Sequence, residues 1–320
     1  MKVLIVTNLH PSPKRPHESP FVKEQVETMR ACFPELTIDV RVIEGRRPKW
    51  EYVREIPLLP FVVKKNGYDI VHAHFGLTLI SLLFVRVPIV VTFHGSDLLV
   101  KPSSYISRLL APLAAKVIVV AGRLRETLGY GEVIPCGIPV KEFALPARLE
   151  GNPIKNKSRP LKVLFPANPA RKVKNYGLFQ AACRELEVRG YSIEEVLLAH
   201  VDRAKVRELY WDCDIMLLTS FSEGSPTVIK EAIAAKLPFV SVDVGDVREW
   251  AALVDFGVVV EGREAKTLSD AVTGLLERIG NRSSFDNSKC LEAMDNVNIA
   301  KRIKGVYDEI LAVHELKKSD

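Results

Sequence analysis

The chain has 320 residues, 47% of them apolar and 26% charged, a composition that fits a packed globular protein and excludes a low-complexity or disordered one. That length allows two ordinary domains, each long enough to bury its own core. The net charge of +6 is uneven, with 20 Lys and Arg against 14 Asp and Glu in residues 1–150 and 25 against 25 in 151–320, so the excess of the first half points either to an anionic partner such as a lipid surface or to solubility charge.

Lys2–Thr7 is a short Val/Ile-rich run bounded by a Pro-containing loop, the pattern of a buried parallel strand. It is far shorter than a signal-peptide core, and Asn8, His10 and Lys14 follow at once. A helix is expected from about Pro20, with Ser19 as N-cap and Val22, Val26 and Met29 as its apolar face. Strands are expected at Leu36–Ile43, Asp69–His72, Ile89–Phe93 and Lys116–Val120, with helical stretches between most of them. Residues 46–65 mix Arg, Lys, Trp, Tyr and Phe with apolar residues, which suits either contact with an anionic membrane or a partly buried loop and helix with a solvated basic face.

Residues 144–160, rich in Pro, Asn, Lys and Ser, read as a linker. The alternation then restarts: strand Leu161–Phe165, helix Asn175–Arg189, strand Val196–Ala199, helix Ala204–Trp211, strand Asp214–Thr219, helix Pro226–Lys236, strands Phe239–Val242 and Gly257–Val260, helix Glu264–Ile279 and a helical end from Lys289 to Leu316. Two such runs predict an α/β protein with two doubly wound parallel sheets, each binding ligands at the carboxyl ends of its strands.

Several functions are excluded. No stretch approaches the roughly 20 apolar residues of a membrane helix, so a cytoplasmic protein is expected. Cys32, Cys136, Cys183, Cys213 and Cys290 are too widely spaced for a zinc or redox motif. Residues 1–44 contain no glycine, against the Gly-rich first turn of a dinucleotide-binding dehydrogenase. The basic residues carry no nucleic-acid motif, and no nucleic acid partner is expected.

The most informative stretch runs from Asp214 to Ala232. A buried strand ends near Thr219, a loop carries Glu223, Gly224 and Ser225, and a helix starts with Pro226 at its first position. Free amides and the positive dipole end at a helix start favour a phosphate or another oxygen-rich group. Gly224 allows close approach to the backbone. Glu223 can accept hydrogen bonds from sugar hydroxyls, and Glu231 lies eight positions further on, so a ligand meeting both is extended. A nucleotide sugar is such a ligand.

The pattern Glu-Gly-x-Pro-x-x-x-x-Glu-Ala, with its flanking strands, resembles the donor motif of retaining GT-B glycosyltransferases, specifically glycosyltransferase family 4. The resemblance runs from residue 1 to about 260. It implies two Rossmann-like domains facing a cleft: 1–150 on the acceptor side, 151–285 for the donor, and a helical segment 286–320 packing back on the first. It implies that Glu223 contacts the donor sugar, that Glu231 grips the ribose, and that the backbone of Ser225, Pro226 and Thr227 faces the diphosphate or the sugar. Lys174 matches the family's phosphate-neutralising Lys, with Arg171 as the Arg and Lys172 in reserve. Gly245, in the loop after Phe239–Val242, gives room for the donor.

In the first half, His17 and Glu18 fall in the family's first strand-to-helix loop. His74, His94 and Asp97 occupy its cleft-facing positions, His94 near the reacting sugar. His72-Ala-His74 alone could suggest a metal, but no third ligand is evident. Cys136 stands where the family has Asn. The expected function is retaining transfer of a sugar from a nucleotide diphosphate sugar to a glycan or lipid-linked hydroxyl, with no metal or cofactor and possible peripheral membrane contact. A GT-B sugar-nucleotide epimerase and a non-catalytic nucleotide-sugar-binding relative are the alternatives.

Overall fold

A computed structural model describes residues 1–11, 20–44, 50–149, 159–279 and 285–319. The chain forms two compact units, Met1–Gly137 with Asn296–Asp320, and Ile138–Asp295.

The first unit holds a parallel sheet of β1 (Lys2–Thr7), β2 (Thr37–Val42), β3 (Ile70–His74), β4 (Ile89–Phe93), β5 (Lys116–Val119) and β6 (Glu132–Val133), in the order β2-β1-β3-β4-β5-β6. Strand order reverses between β1 and β3, which is where such a sheet opens a crevice at its carboxyl edge. All five residues of β3 and of β4 are buried, as a strand covered on both faces requires. Helix α1 (Pro20–Cys32) buries Val22, Val26 and Met29, as its spacing predicts. Then come α2 (Trp50–Asn66), a 3-10 segment at Gly76–Leu82, α3 (Ser96–Leu99), α4 (Ser103–Leu110) and α5 (Gly122–Leu128). The sequence does not foretell α2 as one 17-residue helix, because Pro57 and Pro60 lie inside it. Burial of Tyr52, Leu59 and Val63 in the core outweighs that local penalty. Nor does it foretell β6, a two-residue edge strand with no pattern of its own.

The second unit begins with α6 (Val140–Phe143), whose Val140 and Phe143 belong to its core, ahead of the linker-like 144–160 segment. The chain therefore changes units after Gly137 and again at Asn296, where the sequence suggests 150 and 285. Its sheet comprises β7 (Leu161–Phe165), β8 (Ile193–Leu197), β9 (Ile215–Leu218), β10 (Phe239–Val242) and β11 (Gly257–Val260), in the order β11-β10-β9-β7-β8 and parallel throughout. The reversal falls between β7 and β9. Between the strands lie α7 (Tyr176–Val188), α8 (Arg203–Asp212), α9 (Thr227–Ala234), α10 (Val247–Ala251), α11 (Ala265–Arg278) and α12 (Ser288–Met294). β8 lies earlier than the expected Val196–Ala199, because its exposed Glu194 and Glu195 hide the apolar pattern of an edge strand.

The expected C-terminal helix is broken at Asp295, and the part after the break is α13 (Asn296–Ser319). It returns to the first unit and closes the apolar layer beneath β1, β3, β4 and β5, where Ile299, Ala300, Ile303, Val306, Tyr307 and Ile310 pack with Val3, Ile5, Ile70, Val90 and Ile118. Ile303 is buried and Val313 half-exposed. Ile303→Ala should therefore lower stability by about 2–4 kcal/mol in urea unfolding, while Val313→Ala should be near neutral.

Candidate active site

In the second unit, the loops after β7, β9 and β10 meet at the carboxyl edge of the sheet. After β7 the chain makes a 3-10 turn at Lys172–Lys174 and passes through Asn175 in the left-handed conformation, φ 53° and ψ 54°. This aims Lys174 inward. It is 7% exposed, and its ammonium donates to Glu223 Oε1 at 2.6 Å. Ser220 Oγ, on the β9 loop, donates to the same oxygen at 2.6 Å. The backbone holds the loops together: Phe221 N–H donates to the Val173 carbonyl at 2.8 Å, and Thr219 Oγ1 donates to the carbonyls of Lys174 and Asn175, each at 3.1 Å. Arg171 is exposed at the start of the same 3-10 turn, as is Lys172.

Pro226 is the N-cap of α9, not its first helical residue, and Thr227 begins the helix. No side chain caps this end, so the amides of Thr227 and Val228 stay open. Glu231, one turn on, is 3% exposed and receives Arg203 at 2.9 Å on one oxygen and the Tyr210 hydroxyl at 2.9 Å on the other.

The Ser225 side chain turns into the protein. Its hydroxyl donates to Asp246 Oδ2 at 2.6 Å and accepts from Lys230 Nζ at 2.5 Å. Asp246 also receives Trp250 Nε1 at 2.9 Å, and Lys230, fully buried, lies over the Trp250 ring. Gly245 has φ +57°, and a Cβ on it would lie 2.4 Å from the Gly224 carbonyl oxygen. Its missing side chain is thus required by the protein's own backbone, not only by the space a donor would need. Arg203, Tyr210, Ser220, Lys230, Asp246 and Trp250 escape the sequence reading. The one available signal was the position of Arg203, at the start of the helix after β8 and so on the same sheet edge.

In the first unit, His74 ends β3 and His94 follows β4. Parallel register places them side by side, with His74 Nδ1 and His94 Nε2 hydrogen-bonded at 3.0 Å and the rings stacked at 5.2 Å. His94 Nδ1 meets Cys136 Sγ at 3.8 Å. His72 stacks on His74 and is itself bonded to Tyr307 of α13 at 2.6 Å and to Thr92 at 2.7 Å. Asp97, expected to face the acceptor, is only 4% exposed and accepts from the backbone N–H groups of Gly95 at 2.8 Å, His94 at 3.1 Å and Gly76 at 3.2 Å. It is a clamp between the loops after β3 and β4. His17 and Glu18 lie outside the described residues. Among the described residues, no three His, Cys, Asp or Glu side chains cluster as a metal site would require, and no helix is long and apolar enough to cross a membrane.

Burial holds all three histidines neutral. It pushes His74 down to about 3, and it lowers His72 and His94 well below the usual imidazole value, helped by their histidine neighbours. Burial raises the Asp97 carboxyl to about 6 against the pull of its backbone donors.

The family model described as "Glycosyltransferase Family 4" matches residues 2–142, and that described as "Glycosyl transferases group 1" matches 174–278. A Bacillus subtilis (strain 168) protein described as a candidate teichuronic acid biosynthesis glycosyltransferase, TuaC, is 24% identical over 85% of this chain and 88% of its own. The phosphatidyl-myo-inositol mannosyltransferase of Mycolicibacterium smegmatis is 26% identical over 78% and 73%. Among solved structures, sucrose-phosphate synthase from Thermosynechococcus elongatus superposes with a TM-score of 0.72 at 14% identity, covering 98% of this chain and 100% of that one. Anabaena HepE in complex with UDP gives 0.69 at 15%, covering 97% and 100%.

Two measurements test this geometry. Gly245→Ala should cost about 1–3 kcal/mol by thermal unfolding, because the new methyl meets backbone on a left-handed residue. A histidine whose folded pKa is depressed contributes stability that is complete above the unfolded value of 6.5 and is lost as pH falls below it. The urea midpoint should therefore fall as pH drops from 7 to 5. Asp97, with a raised folded pKa, opposes this below about 6. His74→Asn should flatten the slope by about one proton.

Proposed function

Because the chain belongs to glycosyltransferase family 4 and has its two-domain GT-B fold, we propose that it transfers a hexosyl group from a nucleoside diphosphate sugar to a hydroxyl of a glycan or lipid-linked acceptor, with retention of anomeric configuration. The observation that carries this reading is the Lys174–Glu223 pair beside the open end of α9 at the switch point of the second sheet.

As the bond from the anomeric carbon to the diphosphate breaks, positive charge grows on the sugar and negative charge on the leaving phosphate. An ammonium has three donors. Glu223 takes one from Lys174, which leaves two for phosphate oxygens. The amides of Thr227 and Val228 add fixed donors without reorganisation, and Arg171, exposed on the same loop, adds charge as the donor arrives. Each fixed donor is worth about 3 kcal/mol of barrier in a water-excluded site. Glu223 Oε1 is held by Lys174 and Ser220, so Oε2 is the oxygen that takes a sugar hydroxyl. Glu231, with Arg203 at its side, takes the ribose hydroxyls.

Acceptor-side roles go to the first unit. His94 is half-buried at the end of β4 with one nitrogen bonded to His74, and we assign it to the handling of the acceptor. Asp97 acts on that side only through the loops it clamps. The leaving phosphate is the base for the acceptor proton. The reaction is proposed to need no metal, since cations of the chain and a helix end supply the counter-charge.

Thermal unfolding with a panel of nucleoside diphosphates and their sugars tests the donor site. One nucleotide should raise Tm in the wild type, and Glu231→Ala should weaken its apparent affinity about tenfold or more. Absence of any shift at millimolar nucleotide would sink the reading. With the donor so identified, Lys174→Met should cut kcat by about 100-fold. The product should keep the donor's anomeric configuration by NMR, and EDTA should leave the rate unchanged. A new epimer in place of transfer would favour the isomerase alternative.

A further inference from the structure

One face of the first unit's sheet is covered by α2, the 3-10 segment Gly76–Leu82 and the α3–α4 pair. Two of these helices turn polar residues inward and large apolar ones outward beside their ordinary core contacts. The carboxylates of α2 are turned inward: Glu55 is buried on Arg41 at 2.8 Å, and Glu51 is buried against Arg54 at 3.0 Å. Outward it shows Trp50, Val53, Leu58 and Phe61, interleaved with Arg54, Lys64 and Lys65. The cations of Arg54 and Lys65 lie over the Trp50 and Phe61 rings at 5.5 and 5.9 Å.

α4 likewise turns polar residues inward. Its inward residues are Ser104 and Ser107, set so close to Gly76 that a Cβ there would lie 2.2 Å from the Ser107 hydroxyl. Its outward residues include Tyr105, 61% exposed, and Leu109, 77% exposed, with Arg108 between them. Phe84, after the 3-10 segment, is 67% exposed. More than half of the large hydrophobic side chains that the described residues expose lie between Trp50 and Leu113. Over the same stretch Arg54, Lys64, Lys65, Arg86, Lys101 and Arg108 are exposed, against a single exposed carboxylate, Asp69, which accepts the backbone N–H of Lys2.

An apolar patch of this kind marks a contact surface, and its charge selects the partner. Aromatic side chains beside exposed cations match the headgroup layer of an anionic membrane, where rings enter the interface and Lys and Arg meet lipid phosphates. A second copy of the chain is disfavoured, because two such faces would set cation against cation with no carboxylate between them. We propose that this face of the first unit docks on an anionic lipid bilayer. The proposal stands independently of the transfer reaction.

The test is cosedimentation of the full chain with vesicles of phosphatidylcholine alone, or with about a third phosphatidylglycerol. The anionic vesicles should bind about tenfold more protein at low salt, and about 0.5 M salt should remove most of it. The double variant F61S/L109S should lower binding about tenfold with unchanged thermal unfolding and unchanged nucleotide protection. K64E/K65E, which leaves the core untouched, should lower it to a similar degree. Equal or absent binding to the two vesicle types overturns the proposal, as does binding that both variants leave intact. A dimer in lipid-free sedimentation velocity that F61S/L109S dissolves would assign the face to a second copy and overturn it too.

Discussion

The second unit is organised around one buried ammonium. Lys174 is almost wholly withdrawn from water, a placement that costs several kcal/mol unless the charge is matched. Glu223 matches it at 2.6 Å, and the match is possible only because the loops after β7 and β9 are stitched by Phe221, Thr219 and the left-handed turn at Asn175. Those loops leave the sheet on either side of its reversal, where the backbone of a doubly wound sheet splays apart. A fixed cation, a carboxylate with a free oxygen and an uncapped helix end are thereby held within one loop cluster.

Behind that cluster lies a second, fully buried polar knot. Ser225, Lys230, Asp246 and Trp250 bond to one another through Asp246 Oδ2 and the Ser225 hydroxyl, so the loop carrying Gly224 and Ser225 is fixed against the loop carrying Gly245. The contact is so close that only glycine fits at 245. Such a network is strong because each member polarises the next in a low-dielectric interior. In the proposed transfer its effect is indirect: it sets where the amides of α9 point, and preorganised amides lower a barrier as charge develops.

The first unit repeats the device with different residues. Asp97 ties the loops after β3 and β4 as Lys174 and Glu223 tie those after β7 and β9, and it does so through backbone N–H groups. Three neutral histidines stack beside it, anchored at one end by Tyr307 from the last helix. The C-terminal helix thus shapes the histidine cluster as well as the core. On the opposite face of that sheet, α2 turns Glu51 and Glu55 inward beside Tyr52, Leu59 and Val63, α4 turns Ser104 and Ser107 inward, and Trp50, Phe61, Tyr105 and Leu109 face the solvent, an arrangement that folding alone does not favour.

Much of this was legible in the sequence because it is local. Alternating Val/Ile runs and helical stretches fix two parallel sheets, since a strand buried on both faces must be apolar throughout, as β3 and β4 nearly are. The spacing of Glu223, Gly224, Pro226 and Glu231 marks a strand-loop-helix turn whose free amides suit an anion, because the start of a helix leaves N–H groups open and carries the positive end of its dipole. Tertiary structure alone decided which side chains those residues meet. Arg203 and Tyr210 reach Glu231, and Asp246 takes Ser225, across 21 to 28 positions of chain that no periodicity links. It also turned Asp97 inward, closed Gly245 on Gly224 and returned α13 to the first core. These outcomes depend on how the loops close at the carboxyl edge of each sheet, and a sequence pattern records the faces of single elements but not the contacts between them.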